Sequence, residues 1–497
     1  MASDLQWRTA WPSANIAIGK QRTGKSTTLK YICEVQHLKG DCCIDLLDFG
    51  RHENACYALA NTHVGAYDRF NFINRNQDKT WQNRDFKPRE FPTVVYVPAV
   101  RGMPLRLPSI FQPFRIVFQD LSFEEFLALA GFRGDEVSCD ILQIGWGGFE
   151  TQEVSFSAFV KKILMIAGYG SFIGKVDGKR IEVNVAERRS FAPLFRQLLL
   201  LLNSNLLCDR GNSLALDLDA IMQDTSKIHC FSMAYINTIS IPYLIYGYIL
   251  RKIYSLRLKA AEKYPNLSMF LREVQKVAPF SIRYPGQEMS REALSALVKE
   301  CGDLKTWLYM DTQDPRSIDW NLQGTVIYTW FIFRSDKIIV SWLRERFDIP
   351  DWIASSLPKR DVGMCAIKFD DVKSVVLIPP TLSLIKHWSE QFVVLWEKFK
   401  GEYRDWDIRF VSADNLITLE VPDKPEDVVS HKELSQFERH VLTWLEFIEQ
   451  TGGPANLENL CKLVHITTNT AYSHITKLES FKKYLVLNNG IVAKHIL

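Results

Sequence analysis

The clearest chemistry in this chain comes from glycine, lysine and serine within one short stretch. Asn15-Ile-Ala-Ile-Gly19-Lys20-Gln-Arg-Thr23-Gly24-Lys25-Ser26-Thr27-Thr28 runs from an apolar segment through G-x-x-x-x-G-K-S into a helical pattern. Gly19 and Gly24 free the backbone to turn so that its N–H groups surround phosphate oxygens, and the start of the following helix adds positive potential. Lys25 would reach the β- and γ-phosphates, and the Ser26 hydroxyl would ligate magnesium. Gly19, Lys20, Thr23, Gly24, Lys25, Ser26 and Thr27 are the expected nucleotide-binding set, with ATP and Mg2+ as the expected cofactors.

Hydrolysis also needs a carboxylate that orients water beside the γ-phosphate. The apolar run Leu267–Leu271 leads to Arg272 and Glu273, and Glu273 is the expected catalytic acid. A second run, Thr306–Met310, leads into Asp311-Thr312-Gln313-Asp314-Pro315, where Gln313 is placed to sense the γ-phosphate by hydrogen bonding. A third, 324–333, ends in Arg334-Ser-Asp336. Earlier, Asp41-Cys-Cys-Ile-Asp45-Leu-Leu-Asp48-Phe-Gly50 is an apolar strand carrying acids toward its end. Ligand-facing groups lie at the carboxyl ends of strands in an open parallel sheet. Asp45 and Asp48 are thus candidates for the metal or the attacking water, Asp48 being the expected metal acid beside Ser26. A plain turn at Asp48-Phe-Gly50 is the competing reading.

In order along the chain, the phosphate loop, the Asp45–Gly50 strand, the 267–279 segment ending in Ala278-Pro279, and Thr312-Gln-Asp-Pro315 resemble the HerA/FtsK-type ring ATPases of the RecA-like fold. Leu216-Asp-Leu-Asp219 followed by Lys227–Ser232 looks like that family's Asp-Leu turn and strand. The resemblance covers about residues 10–400. It implies a hexameric, ATP-driven pump acting on duplex DNA or, in some relatives, on protein. It also implies an arginine entering the neighbouring subunit's site, for which Arg334 is the first candidate and Arg316 the second.

Two departures bear on hydrolysis. The family's metal-holding aspartate is replaced by Arg272, and a cation facing the metal would oppose it unless the side chain turns away. The family's basic Gly-Arg-Lys segment reads Cys301-Gly-Asp-Leu-Lys305. Either Asp45 or Asp48 takes over the metal, or the ATPase is slow. The alternative function is accordingly a nucleotide-gated regulator or assembly factor with weak turnover.

These residues need a sheet to hold them. The expected fold is α/β, a RecA-like P-loop NTPase with a mostly parallel sheet, a helical insertion and a C-terminal winged-helix domain. The boundaries read as 1–119 for the first part of the ATPase core, 120–210 for the helical insertion, 211–424 for the second part of the core, and 425–497 for linker and winged helix. The last module rests on helical patterns at 435–449, 457–464 and 468–478 and a hairpin around Asn489-Gly490. Its third helix would present Asn469, Thr470, Tyr472, Ser473 and Lys477 to a major groove. Residues 431–497 hold seven Lys or Arg and six Asp or Glu, so DNA contact and protein contact stay equally open.

At 497 residues, with 47% hydrophobic and 24% charged side chains, the chain excludes wholesale disorder. Its net charge of +3 argues for no partner, because a ring can line its pore with a few basic groups and stay neutral elsewhere. The ten cysteines include no C-x-x-C pair and read as buried free thiols in a reducing cytosol. The N-terminus shows no basic start followed by an apolar run. The most apolar stretch, 231–250, is interrupted by Asn237, Thr238, Ser240 and Pro242. It reads as a strand running into a buried helix, so a cytoplasmic protein without membrane insertion is expected.

Overall fold

The computed structural model describes residues 11–48, 53–61, 88–130, 204–236, 240–284, 286–322, 327–347, 349–368, 372–378, 381–383, 402–406, 408, 455–463, 485–488 and 491–494. Between 139 and 202 it describes 154–160, 171–176, 179–184 and isolated positions. The chain divides into two compact units, Met1–Thr418 and Leu419–Leu497.

The first unit is built on a 10-stranded sheet. In chain order its strands are β1 (Ala14–Ile18), β2 (Cys42–Asp48), β3 (Thr93–Pro98), β4 (Phe111–Phe114), β5 (Ile228–Ser232), β6 (Leu267–Leu271), β7 (Thr306–Thr312), β8 (Ile327–Ile332), β9 (Met364–Lys368) and β10 (Val372–Leu377). Their spatial order is β10-β9-β8-β1-β7-β6-β2-β5-β3-β4. Every pairing from β8 to β4 is parallel, and β9 and β10 add an antiparallel edge.

Strands β1, β6 and β7 are buried at every residue, as sequences without polar alternation must be when both faces of a parallel sheet are covered. The two-residue period then sorts their side chains into separate cores. Ile16, Ile44, Met269 and Met310 face one core with the helices Ser240–Ala260 and Gln287–Glu300. Ala17, Cys43, Phe270 and Tyr309 face the other, which receives Leu29, Ile32 and Cys33 from helix α1 (Lys25–Leu38). The stretch around 231–250 is indeed a strand leading to a buried helix, and no described helix is long and apolar enough to cross a membrane. All ten cysteines are free and buried.

Within 120–210, expected to be a helical insertion, the described residues hold both helix and strand. Helix Phe123–Ala130 is present, and its Ser122 and Glu125 exchange side chain-to-backbone hydrogen bonds as a capping box. The segment also holds an antiparallel hairpin, Ser171–Val176 against Lys179–Asn184. Asp177-Gly178 between these strands is the two-residue turn signal that favours a hairpin, and the helical reading passed over it.

In the second unit, the described residues form helix Leu457–Leu463 and a three-stranded antiparallel sheet from 455–456, 491–494 and 485–488. The expected helices at 435–449 and 468–478, with the candidate groove-facing residues, lie outside the described residues.

Candidate functional site

The site is assembled where β1, β6, β7 and β8 end. After Ile18 the chain turns through Gly19 to Gly24 and enters α1 at Lys25. Gly24 has φ +113°, which disfavours any side chain. A Cβ at Gly19 would lie 2.7 Å from Phe333 Cβ, so the loop can press against the end of β8 only with glycine there. Lys20 N–H donates to the Arg334 carbonyl at 2.9 Å, and Gly363 N–H donates to the Thr23 carbonyl at 2.9 Å. Thr23 closes the loop from within, its hydroxyl donating to the Lys20 carbonyl at 2.8 Å. These contacts shape the backbone before any ligand arrives.

Lys25 is buried and donates to the Lys20 carbonyl at 2.8 Å. Burial holds its ammonium below the usual lysine range, while the carboxylates of Asp311 and Glu273 pull the other way. Ser26 donates to Asp311 Oδ2 at 3.2 Å. The second oxygen of that carboxylate, Oδ1, accepts from the Glu273 N–H at 2.5 Å. Gln313 Nε2 donates to Glu273 Oε1 at 3.4 Å, and Lys276 is ion-paired with Glu273 Oε2. Ser26, Asp311, Glu273 and Gln313 thus form one hydrogen-bonded chain, and its two carboxylates act on the Lys25 ammonium.

Register explains why they meet. Parallel pairing sets Ala17 beside Asp311 and Ile18 beside Thr312, so Asp311 stands against the last turn of chain before the loop. Strand β6 borders β7 on its other side, which brings Glu273 to Asp311. Glu273 itself has φ +50°, a left-handed conformation uncommon for a side chain-bearing residue. Asp311 is 1% exposed, and burial pushes its carboxyl above the usual range against the pull of Lys25.

Arg272 directs a hydrogen bond to β2, although its charge still acts on Asp311. It donates to Asp45 Oδ2 at 2.8 Å, and that oxygen also accepts from the Tyr57 hydroxyl at 2.9 Å. Phe270 is in register with Asp45, so Arg272, two residues on and on the same face, reaches it diagonally. Asp45, one of the two acids read as metal candidates, is taken up by this pair. The other, Asp48, ends β2, with β7 and β6 lying between that strand and β1.

The arginine candidates are placed differently. Arg334 follows β8, its carbonyl bonded to the phosphate loop, while Lys20 is ion-paired with Asp336. Arg316 grips Asp314 through Nε at 2.9 Å and Nη2 at 2.7 Å on the surface. Thr27 is half-buried on the first turn of α1.

The sequence reading missed Asp311 as a site residue. It is the acid that directly follows the apolar run Thr306–Met310, a signal of the same kind as Glu273 after β6. Magnesium suits hard oxygen donors and keeps several waters, usually with one or two carboxylates and substrate phosphates. Ser26 Oγ and Asp311 Oδ2 supply a hydroxyl and a carboxylate oxygen side by side, so the donor set fits that ion. Among the described residues no group of three or more His, Cys, Asp or Glu could hold a metal ion.

No protein-family model and no curated protein matches the sequence. Among solved structures, the chain is similar to VirB4 of Thermoanaerobacter pseudethanolicus, with TM-score 0.44 and 10% identity over 76% of this chain and 91% of that one. It is similar to the plasmid coupling protein TrwB in complex with an ATP analogue, with TM-score 0.46 and 9% identity over 76% of this chain and 88% of that one. The genome packaging NTPase of Sulfolobus turreted icosahedral virus 2 matches with TM-score 0.23 and 12% identity over 33% of this chain and 72% of that one.

Proposed function

We propose that this chain is a P-loop ATPase acting as a ring motor of the HerA/FtsK type, coupling ATP hydrolysis to movement of duplex DNA. The observation that carries the reading is the convergence of Lys25, Ser26, Asp311, Glu273 and Gln313 at the ends of adjacent parallel strands. In this reading the loop N–H groups and Lys25 bind the β- and γ-phosphates, and Ser26 would help hold a magnesium ion supplying charge neutralisation. Glu273 orients the attacking water and takes up its proton. Gln313, bonded to Glu273, senses the γ-phosphate and passes its loss to the chain beyond β7. Arg334 or Arg316 serves a neighbouring subunit in a hexamer, and the C-terminal module contacts DNA or a protein partner.

The Arg272 substitution favours a second reading, a nucleotide-gated regulator with little turnover. Purified protein separates the two. The motor reading expects ATP hydrolysis and a six-subunit particle when sized with a non-hydrolysable ATP analogue. Nucleotide binding with no turnover supports the regulator, and a strictly monomeric protein under those conditions contradicts the motor.

A further inference from the structure

Resting on the nucleotide-binding reading, we infer that the acid serving the magnesium ion has moved from β6 to β7, where Asp311 holds the ion together with Ser26. Neighbouring strands lie about 4.8 Å apart, so a group on β7 starts about 5 Å from β1, one on β6 about 10 Å and one on β2 about 14 Å. The sheet order gives those places to Asp311, Arg272 and Asp48 respectively. A carboxylate extends only a few ångströms from its backbone, and Asp311 is the acid that touches the Ser26 hydroxyl, at 3.2 Å.

Charge supplies a second, independent strand of argument. Arg272 occupies the position after β6 where a carboxylate would otherwise act, and a free cation there would repel the ion. The buried pair with Asp45 turns the guanidinium toward β2, where Tyr57 also binds the same carboxylate. Asp45 offsets the Arg272 charge, which also acts on Asp311, and Asp311 is the carboxylate in contact with Ser26. Asp311 also accepts from the Glu273 N–H, so the residue at the metal fixes the backbone of the expected catalytic acid. The substitution at 272 is thereby compensated.

The test is magnesium-dependent binding of a fluorescent ATP analogue to the full chain, measured with magnesium and with chelator, alongside thermal melts. The wild type should bind at least about tenfold more tightly with magnesium. Asp311→Asn keeps the acceptor for Glu273 and should lose that gain, its affinities with magnesium and with chelator then agreeing within about twofold. Should the asparagine variant not fold, Asp311→Ser gives the same reading. Ser26→Ala should also lose the gain, and the double variant should lose no more than either single one, because the two oxygens act on one ion. Wild-type magnesium dependence in a folded Asp311 variant overturns the inference. So does its loss in Asp48→Asn with Asp311→Asn unaffected. A wild type that binds no nucleotide in either condition overturns the underlying reading instead, and is told apart by the absence of any binding signal.

Discussion

Arg272 and Asp45 form a buried ion pair across adjacent strands, with side chains 9% and 1% exposed and the guanidinium 2.8 Å from the carboxylate. Removing one partner of such a pair strands the other charge in a medium that cannot solvate it. Arg272→Met should therefore destabilise the protein by about 3–5 kcal/mol in chemical denaturation. Arg272→Met combined with Asp45→Leu should recover only part of that loss, since the pair leaves no orphaned charge of its own but the buried Tyr57 hydroxyl loses its acceptor and Lys30 a nearby carboxylate. A single variant within about 1 kcal/mol of wild type would show that the pair lacks this structural role.

Lys25 and Glu273 should separate binding from chemistry. Lys25→Ala removes the ammonium that the loop holds against Lys20, so both nucleotide affinity and turnover should fall, turnover by at least about 100-fold. Glu273→Gln keeps the shape and its Gln313 neighbour but not the base. It should bind ATP within about twofold of wild type and hydrolyse it about 10²- to 10⁴-fold more slowly. Binding by equilibrium fluorescence and turnover by phosphate release check both, and unchanged turnover in Glu273→Gln removes it from the catalytic role.

Glu34, on α1, is buried and accepts hydrogen bonds from Leu382 N–H at 2.7 Å, Ser383 N–H at 3.0 Å and the Ser383 hydroxyl. Burial outweighs these donors and lifts its carboxyl from 4.5 to about 7. The folded chain therefore keeps a proton that the unfolded chain has released across that window. The contribution to stability is present below pH 4.5 and is lost as pH rises through about 7. At about 1.4 kcal/mol per unit the loss is on the order of 3 kcal/mol. Glu34→Gln, which cannot ionise, should flatten the fall in denaturation midpoint between pH 4.5 and about 7. A wild-type slope in that variant assigns the fall to other groups.

What sequence conveyed was mostly local. G-x-x-x-x-G-K-S between an apolar run and a helical pattern dictates its own backbone, and the loop before Lys25 has the positive-φ glycine at 24 that the spacing requires. The strands 267–271 and 306–312 were legible because uninterrupted apolar runs bounded by polar residues suit buried parallel strands. The contacts that give those strand ends meaning were not legible. Arg272 meets Asp45 across 227 positions, and Ser26 meets Asp311 across 285, through a sheet order that places β7 between β1 and β6. Nothing near Arg272 in the chain says which carboxylate will receive it. The hairpin at 171–184 differs, since its Asp177-Gly178 signal was local and was outweighed by helical patterns on either side.

The central claim is that ATP turnover at this site drives movement on duplex DNA. It is tested most directly by steady-state ATP hydrolysis with increasing concentrations of linear duplex DNA, with Lys25→Ala measured in parallel. A motor predicts turnover that rises severalfold and saturates with DNA, and that stays at background in Lys25→Ala. Wild-type turnover indifferent to duplex DNA at every concentration would contradict it.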